Sequence, residues 1–296
     1  MVEANSTGDA APRIIRVFSN NAVLVRMPGG VQGEDQTEEL VMVGRGIGFQ
    51  RKPGDEVSPT TVDRQYMELS PDKVQFLRSV NAIDADVMET ISAAVDLAVD
   101  LLGELHPSVY IVLAEHISFA VQRAGLGEAI RNSLVNEIRA SFPLEFRAAE
   151  LVVGYLNSHV ENIDLPVDEA AYIALHLNAA RLGVTVKQPL ATANALAGLI
   201  RLVCLRLGAT TTALDGTPDR TLAIELNRLN ARAEAGLFRS NLLRRSVNRE
   251  LPRESDLARQ VLCRIIDVPD LPSHAEGEAA FLATFLHGWQ QTVRPN

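Results

Sequence analysis

The sequence predicts an α+β multidomain protein, a small antiparallel β domain followed by two homologous all-α helical bundles. Three observations carry this reading. Residues 13–69 hold short β-type runs separated by turn residues. From Pro71 onward, apolar residues recur at helical spacing. The helical part also resembles itself when shifted by 109 positions.

The first element is a tail, Met1–Pro12, with Glu3, Asp9 and no apolar core. It reads as a short disordered segment and not as a signal peptide. Arg13–Phe18 and Ala22–Met27 are β-type runs joined at Ser19-Asn20-Asn21, because Asn accepts positive φ and closes tight turns. Pro28 to Glu39 is a turn-rich acidic loop with Glu34, Asp35, Glu38 and Glu39. Leu40–Val43 is a third run, followed by Gly44-Arg45-Gly46-Ile47-Gly48-Phe49-Gln50 and a Pro53-Gly54 turn. Tyr66–Leu69 is a last short strand. A sheet this small buries little surface, which favours dimerisation.

Helices are expected at Ile83–Gly103, where Asp84 or Asp86 caps the start, and at Pro107–Ala124, with proline in the first turn. More follow at 129–140, 144–160 and 167–181. After a Gly183–Pro189 connector come helices near 190–207, 218–234, 254–267 and 275–291. A shift of 109 places Phe142-Pro143-Leu144-Glu145 on Leu251-Pro252-Arg253-Glu254 and Glu169-Ala170-Ala171 on Glu278-Ala279-Ala280. Arg123 falls on Arg232, without a gap from 116 to 176. The domains are therefore 13–69, 70–188 and 189–296.

Composition excludes several classes. The chain has 296 residues, is 47% apolar and carries a net charge of −9, which suits globular domains and not a disordered or collagenous chain. Cys204 and Cys263 lie in apolar helical runs and read as buried reduced thiols. The apolar stretches Ile91–Leu102 and Leu190–Leu207 are interrupted by Asp96, Asp100, Arg201 and Arg206, so neither reads as a membrane span. A cytoplasmic protein is expected. No G-x-x-x-x-G-K-[ST], H-E-x-x-H or G-x-S-x-G occurs, so no enzyme, cofactor or metal is expected.

Two histidines stand out. His116 shares a helical stripe with Val109, Val112, Leu113 and Ala120, and His176 follows Tyr172 by four. One histidine on an apolar stripe is most often a core or interface residue; two mid-helix in one domain lower those odds, though they form no metal signature. The repeat sets His116 on Glu225 and His176 on Phe285, so the second copy keeps the scaffold and loses both histidines. His287 lies two residues past Phe285, about 200° around the helix, and faces elsewhere.

The segments Arg16-Val17-Phe18-Ser19-Asn20-Asn21-Ala22-Val23 and Val43-Gly44-Arg45-Gly46-Ile47-Gly48-Phe49-Gln50, followed by Pro53-Gly54, resemble the co-antiterminator (CAT) domain of the BglG/LicT/SacY antiterminators. The two helical copies resemble that family's phosphotransferase regulation domains (PRDs). The resemblance implies a β homodimer that binds a hairpin in nascent mRNA, the ribonucleic antiterminator, and prevents termination in a sugar-utilisation operon. Its RNA contacts fall on Asn21, Arg45, Phe49, Gly44 and Gly46, and further on Arg16, Asn20 and Gln50. The chemistry agrees: glycine admits close backbone approach, arginine offers a planar fork, and phenylalanine stacks on an unpaired base.

The resemblance further implies phosphorylation of His116 and His176 by a sugar permease of the phosphotransferase system, which switches the protein off. In the family the phosphocarrier HPr acts on the second PRD. Here Glu225 and Phe285 occupy those positions, leaving HPr no histidine there; two readings stand, a permanent negative charge at Glu225 that partly mimics the phosphorylated form, and decay of an unused site. The rival readings are a PRD-containing DNA-binding activator, which needs a helix-turn-helix before the PRDs, and a regulator that has lost RNA binding.

Charge follows the domains. Residues 70–188 hold 16 acidic against 8 basic residues, and 189–296 hold 11 against 13. Residues 13–69 are near neutral, with 7 basic and 8 acidic, and turn basic once the 28–39 loop is set aside. RNA affinity is therefore expected to rest on specific contacts more than on bulk charge.

Overall fold

The computed structural model describes residues 11–27, 39–44, 46–57, 64–68, 85–103, 105–106, 108–128, 130–209 and 217–293. Most of the tail, nearly all of the 28–39 loop, and Arg45 lie outside these residues.

Four strands, β1 (Arg13–Ser19), β2 (Ala22–Arg26), β3 (Glu39–Val43) and β4 (Arg64–Glu68), form one antiparallel sheet in the order β1-β2-β3-β4. Alternation puts Ile14, Val23, Val25, Leu40 and Met42 into a small core that Ile47 and Val57 complete. Glu39, expected in the loop, is the first residue of β3 and pairs with Arg26 at 3.2 Å. The last strand ends at Glu68 and begins two residues before Tyr66.

Ten α-helices follow among the described residues: α1 (Ala85–Leu102), α2 (Val109–Gly125), α3 (Val135–Ser141), α4 (Pro143–His159), α5 (Val167–Leu182), α6 (Lys187–Leu207), α7 (Thr217–Glu234), α8 (Arg244–Glu250), α9 (Pro252–Ile265) and α10 (Glu276–Val293). A shift of 109 carries α3 onto α8 residue for residue, and starts α4 on α9 and α5 on α10. Helix α8 was not expected. It buries no residue, so apolar periodicity cannot reveal it. Gly183, at φ +65°, ends α5 in the left-handed conformation that glycine adopts without strain.

The helices and sheet divide into two compact units, Met1–Asn132 with Leu144–Gln188, and Ser133–Pro143 with Pro189–Asn296. The sheet thus shares a unit with the helices of the first copy. Segment 133–143, expected within 70–188, belongs to the second unit. Ala140 is buried in that unit's core with Leu222 and Leu226, and Asn227 Nδ2 donates to its carbonyl at 2.8 Å.

Helix α6 is long and apolar enough, by length and composition, to cross a membrane. Its Leu196, Leu199, Ile200, Val203 and Cys204 nevertheless lie in the second unit's core, while Arg201 and Arg206 are exposed. Cys204 is buried as expected; Cys263 is only partly buried, because it lies just past the inward-facing Val261 and Leu262 of α9.

Candidate functional site

Two sites emerge in the first unit. At the sheet, the turn between β1 and β2 is held by the loop that follows β3. Gly44 N–H donates to the Asn21 carbonyl at 3.0 Å, and Gly48 N–H to the Asn20 carbonyl at 2.9 Å. The Asn21 side chain closes the arrangement, its Oδ1 accepting from Gly46 N–H at 3.0 Å. Gly46 takes φ +73°, and a Cβ on Gly48 would lie 2.1 Å from the Ser19 carbonyl oxygen. Two motifs far apart in sequence thereby share one edge. Asn20, Asn21, Gly44, Gly46, Phe49 and Gln50 are all in it, with Phe49 59% exposed. Arg16 lies on β1, opposite Leu24, and burial lowers its pKa.

The same edge touches helix α1. Asp96 Oδ1 accepts from Asn21 Nδ2 and Oδ2 from Asn20 N–H, both at 3.2 Å. Burial raises the Asp96 pKa; bonds from Ser19, Asn21 and Asn20 oppose this, and the charge of Asp100 adds to it.

The second site is helical. His116 on α2 and His176 on α5 face each other, with ring centroids 5.1 Å apart, and Tyr172 packs beside His116 at 5.8 Å. His116 Nε2 lies 3.1 Å from Glu169 Oε2, while Arg123 Nη2 donates to Glu169 Oε1 at 3.0 Å. Burial drives the Glu169 pKa upward. Hydrogen bonds and charge from His116 and Arg123 outweigh that and hold it below the ordinary carboxylate value. Burial pushes the His176 imidazole down to about 4, and the charge of His116 adds to the effect. The arrangement is an imidazole oriented by a buried carboxylate, which is how a histidine nitrogen is kept in one tautomer and made nucleophilic. Among the described residues, no group of three or more His, Cys, Asp or Glu is placed to hold a metal.

The second copy builds a different site on the same scaffold. Glu278, the counterpart of Glu169, is fully buried and accepts from Arg232, the counterpart of Arg123, at 2.7 Å. Arg232 also reaches Glu225 at 3.3 Å. A second guanidinium, Arg239, stands where the first copy has Ile130; it bonds Glu278 through its backbone and side chain. Its guanidinium carbon lies 4.4 Å from the centre of the Phe281 ring. Gly277 replaces Asp168, and a Cβ there would lie 2.3 Å from the Arg239 carbonyl oxygen. In the first copy, Asp168 instead accepts from Asn132 N–H at 2.6 Å. His287, as expected, faces away from this cluster and pairs with Glu254 at 3.0 Å.

Sequence reasoning found His116, His176, Glu225 and Phe285 but assigned no site role to Glu169, Arg123 or Arg239. The signal for the first two was present: Glu169 and Arg123 recur in the second copy as Glu278 and Arg232. In the sequence Asp96 shows only as an interruption of an apolar run.

A sheet bearing a glycine-rich, asparagine-anchored edge thus shares one compact unit with helices carrying a half-buried histidine pair. Residues 13–74 match the CAT RNA binding domain and residues 98–180 match the PRD domain. These two segments make the chain similar to transcription antiterminators. Among its relatives is the beta-glucoside operon antiterminator of Dickeya chrysanthemi, 29% identical over 66% of this chain and 67% of that one. Transcription antiterminator LicT of Bacillus subtilis is 31% identical over 57% of this chain and 59% of its own length. The GlcA/glcB genes antiterminator of Staphylococcus carnosus is 29% identical over 55% and 56%. The chain thus matches between about half and two thirds of these relatives' lengths. The crystal structure of GlcT CAT-PRDI is similar at 22% identity and a TM-score of 0.42, covering 58% of this chain and 99% of that one.

Proposed function

We propose that this protein is a non-enzymatic, cytoplasmic RNA-binding antiterminator. It binds a hairpin in the nascent mRNA leader of a sugar-utilisation operon as a homodimer and prevents termination. The observation that carries the reading is the hydrogen bond from Gly46 N–H to Asn21 Oδ1 inside the segment that matches the CAT RNA binding domain. It makes one surface of the N-N and G-R-G-x-x-F-Q motifs. Asn20, Asn21, Arg45 and Gln50 offer polar groups to RNA, Gly44 and Gly46 admit its backbone, and Phe49 stacks on an unpaired base. Arg16 lends positive charge from β1. We assign this role to residues 13–69 and regulation to the copies at 70–188 and 189–296.

The histidine site is the switch in this reading. His116, oriented by Glu169, and His176 accept phosphoryl groups from a sugar permease of the phosphotransferase system. A phosphoryl group adds roughly two negative charges at a packed helical site, enough to alter its packing. HPr has no histidine to modify at Glu225 or Phe285. There the carboxylate of Glu225 supplies a standing negative charge, held by Arg232. The replacement is accompanied by Arg239 and Gly277, and such coordinated changes favour a retained function over simple loss.

The test is a gel shift of the full chain with the leader RNA of the operon it accompanies. Binding that falls in Asn21→Ala and Arg45→Ala supports the reading; affinity no higher than for unrelated RNA refutes it. Incubation with the phosphorylated permease should label the wild type and leave the His116→Ala, His176→Ala double variant unlabelled.

A further inference from the structure

We propose that Asp96 is an internal competitor for RNA, a carboxylate docked where a phosphate of the hairpin binds. The inference rests on the reading of Asn20 and Asn21 as RNA contacts. One carboxylate takes two donors at once, Asn20 N–H on one oxygen and Asn21 Nδ2 on the other, each at 3.2 Å. A backbone N–H and a side-chain amide converging on paired oxygens form an oxyanion site, and a phosphodiester presents the same pair of oxygens as a carboxylate.

The contact and bound RNA exclude one another for two reasons. The Asn21 amide is held at both ends, with Oδ1 accepting from Gly46 N–H and Nδ2 donating to Asp96, so the donor aimed at the oxyanion position is already taken. Asp96 and Asp100 are also four residues apart on α1, so they share a helix face and set negative charge against incoming phosphates.

The contact is also poised to open. Asp96 is half-buried, and its desolvation together with repulsion from Asp100 works against its charged form. RNA offers the same donors an oxyanion without that burden. The carboxylate further belongs to the helical part of the unit. Tyr110, on α2, is buried and senses the charges of both Asp96 and Asp100, and the same helix carries His116. The regulatory helices therefore hold the RNA edge directly, through a named group.

The experiment uses the full chain and a pool of RNA hairpins with randomised loops and bulges. Hairpins retained by the wild type and by Asp96→Ala are enriched, and the best is titrated against wild type, Asp96→Ala, Asp96→Asn, Asn21→Ala and the Asp96→Ala, Asn21→Ala double variant. Amide hydrogen exchange at Asn20 without RNA reports whether the contact has opened. Asp96→Ala is expected to bind about tenfold tighter than wild type, with faster exchange at Asn20, since two charge-assisted hydrogen bonds no longer compete. Asp96→Asn, which keeps the shape, is expected to fall between them. Asn21→Ala weakens binding in both backgrounds. If Asn21→Ala weakens binding while Asp96→Ala and Asp96→Asn bind no better than wild type, the competitor role is overturned and RNA binding stands, with Asp96 merely positioning Asn21. If no hairpin is enriched by either protein, RNA binding itself fails and the inference falls with it.

Discussion

The imidazoles of His116 and His176 lie with ring centroids 5.1 Å apart, one held by a buried carboxylate and the other half-buried. Two cations at that distance repel strongly, so the pair resists double protonation. In the folded protein His176 titrates at about 4, against an ordinary 6.5. It therefore stays neutral where the unfolded chain takes up a proton. Stability is complete above pH 6.5 and is lost as pH falls toward 4, by on the order of 3 kcal/mol at most. Urea unfolding at pH 7.5 and pH 4.5 checks this. Wild type is expected to lose more stability across that interval than His176→Gln; equal losses would show that the pair contributes nothing.

Gly48 and Phe49 are neighbours with opposite roles. A methyl group at Gly48 collides with the Ser19 carbonyl oxygen, which is backbone and cannot rotate away. Gly48→Ala is expected to destabilise the sheet by roughly 2–4 kcal/mol and to abolish RNA binding with it. A lower urea midpoint and lost gel-shift affinity together are the readout.

Phe49 is 59% exposed, so its side chain adds little to the fold. Phe49→Ala is expected to change stability by no more than about 0.5 kcal/mol. Lost stacking on one base should nevertheless weaken RNA binding by about 1–3 kcal/mol, a factor of roughly 5 to 150. A variant that unfolds early, or one that binds as wild type does, contradicts this division.

The ion cluster of the second copy makes unequal demands on its two carboxylates. Glu278 is fully buried and meets both Arg232 and Arg239; Glu225 is partly exposed. Glu278→Ala leaves two guanidinium groups facing a cavity and should destabilise by about 3–5 kcal/mol. Glu225→Gln should cost about 1 kcal/mol or less. Thermal unfolding of the two variants distinguishes them.

Glu225→Gln also tests the standing-charge role, because it removes charge and keeps shape. In an antitermination reporter it is expected to lower output several-fold. Output equal to wild type would leave Glu225 as a structural residue only.

Much of this molecule is written in local pattern. The β-type runs before Pro71, the helices after it, and the repeat at 109 positions depend on residues a few places apart, so periodicity and turn residues reveal them. The pairing of Asn21 with the glycine loop was legible only as a shared resemblance, since 25 residues separate Asn21 from Gly46. Helix α8 left no apolar stripe to read.

By itself, the sequence determined the order of the domains, the helices that carry His116 and His176, and the loss of both histidines from the second copy. The tertiary structure alone decided their partners. Glu169 meets His116 across 53 residues, Arg239 reaches Glu278 across 39, segment 133–143 joins the second core, and Asp96 finds Asn21 across 75. Each of these depends on burial and charge balance between distant segments. A carboxylate in a helix has the same local signature whether it faces solvent, a guanidinium or the asparagine edge of a sheet.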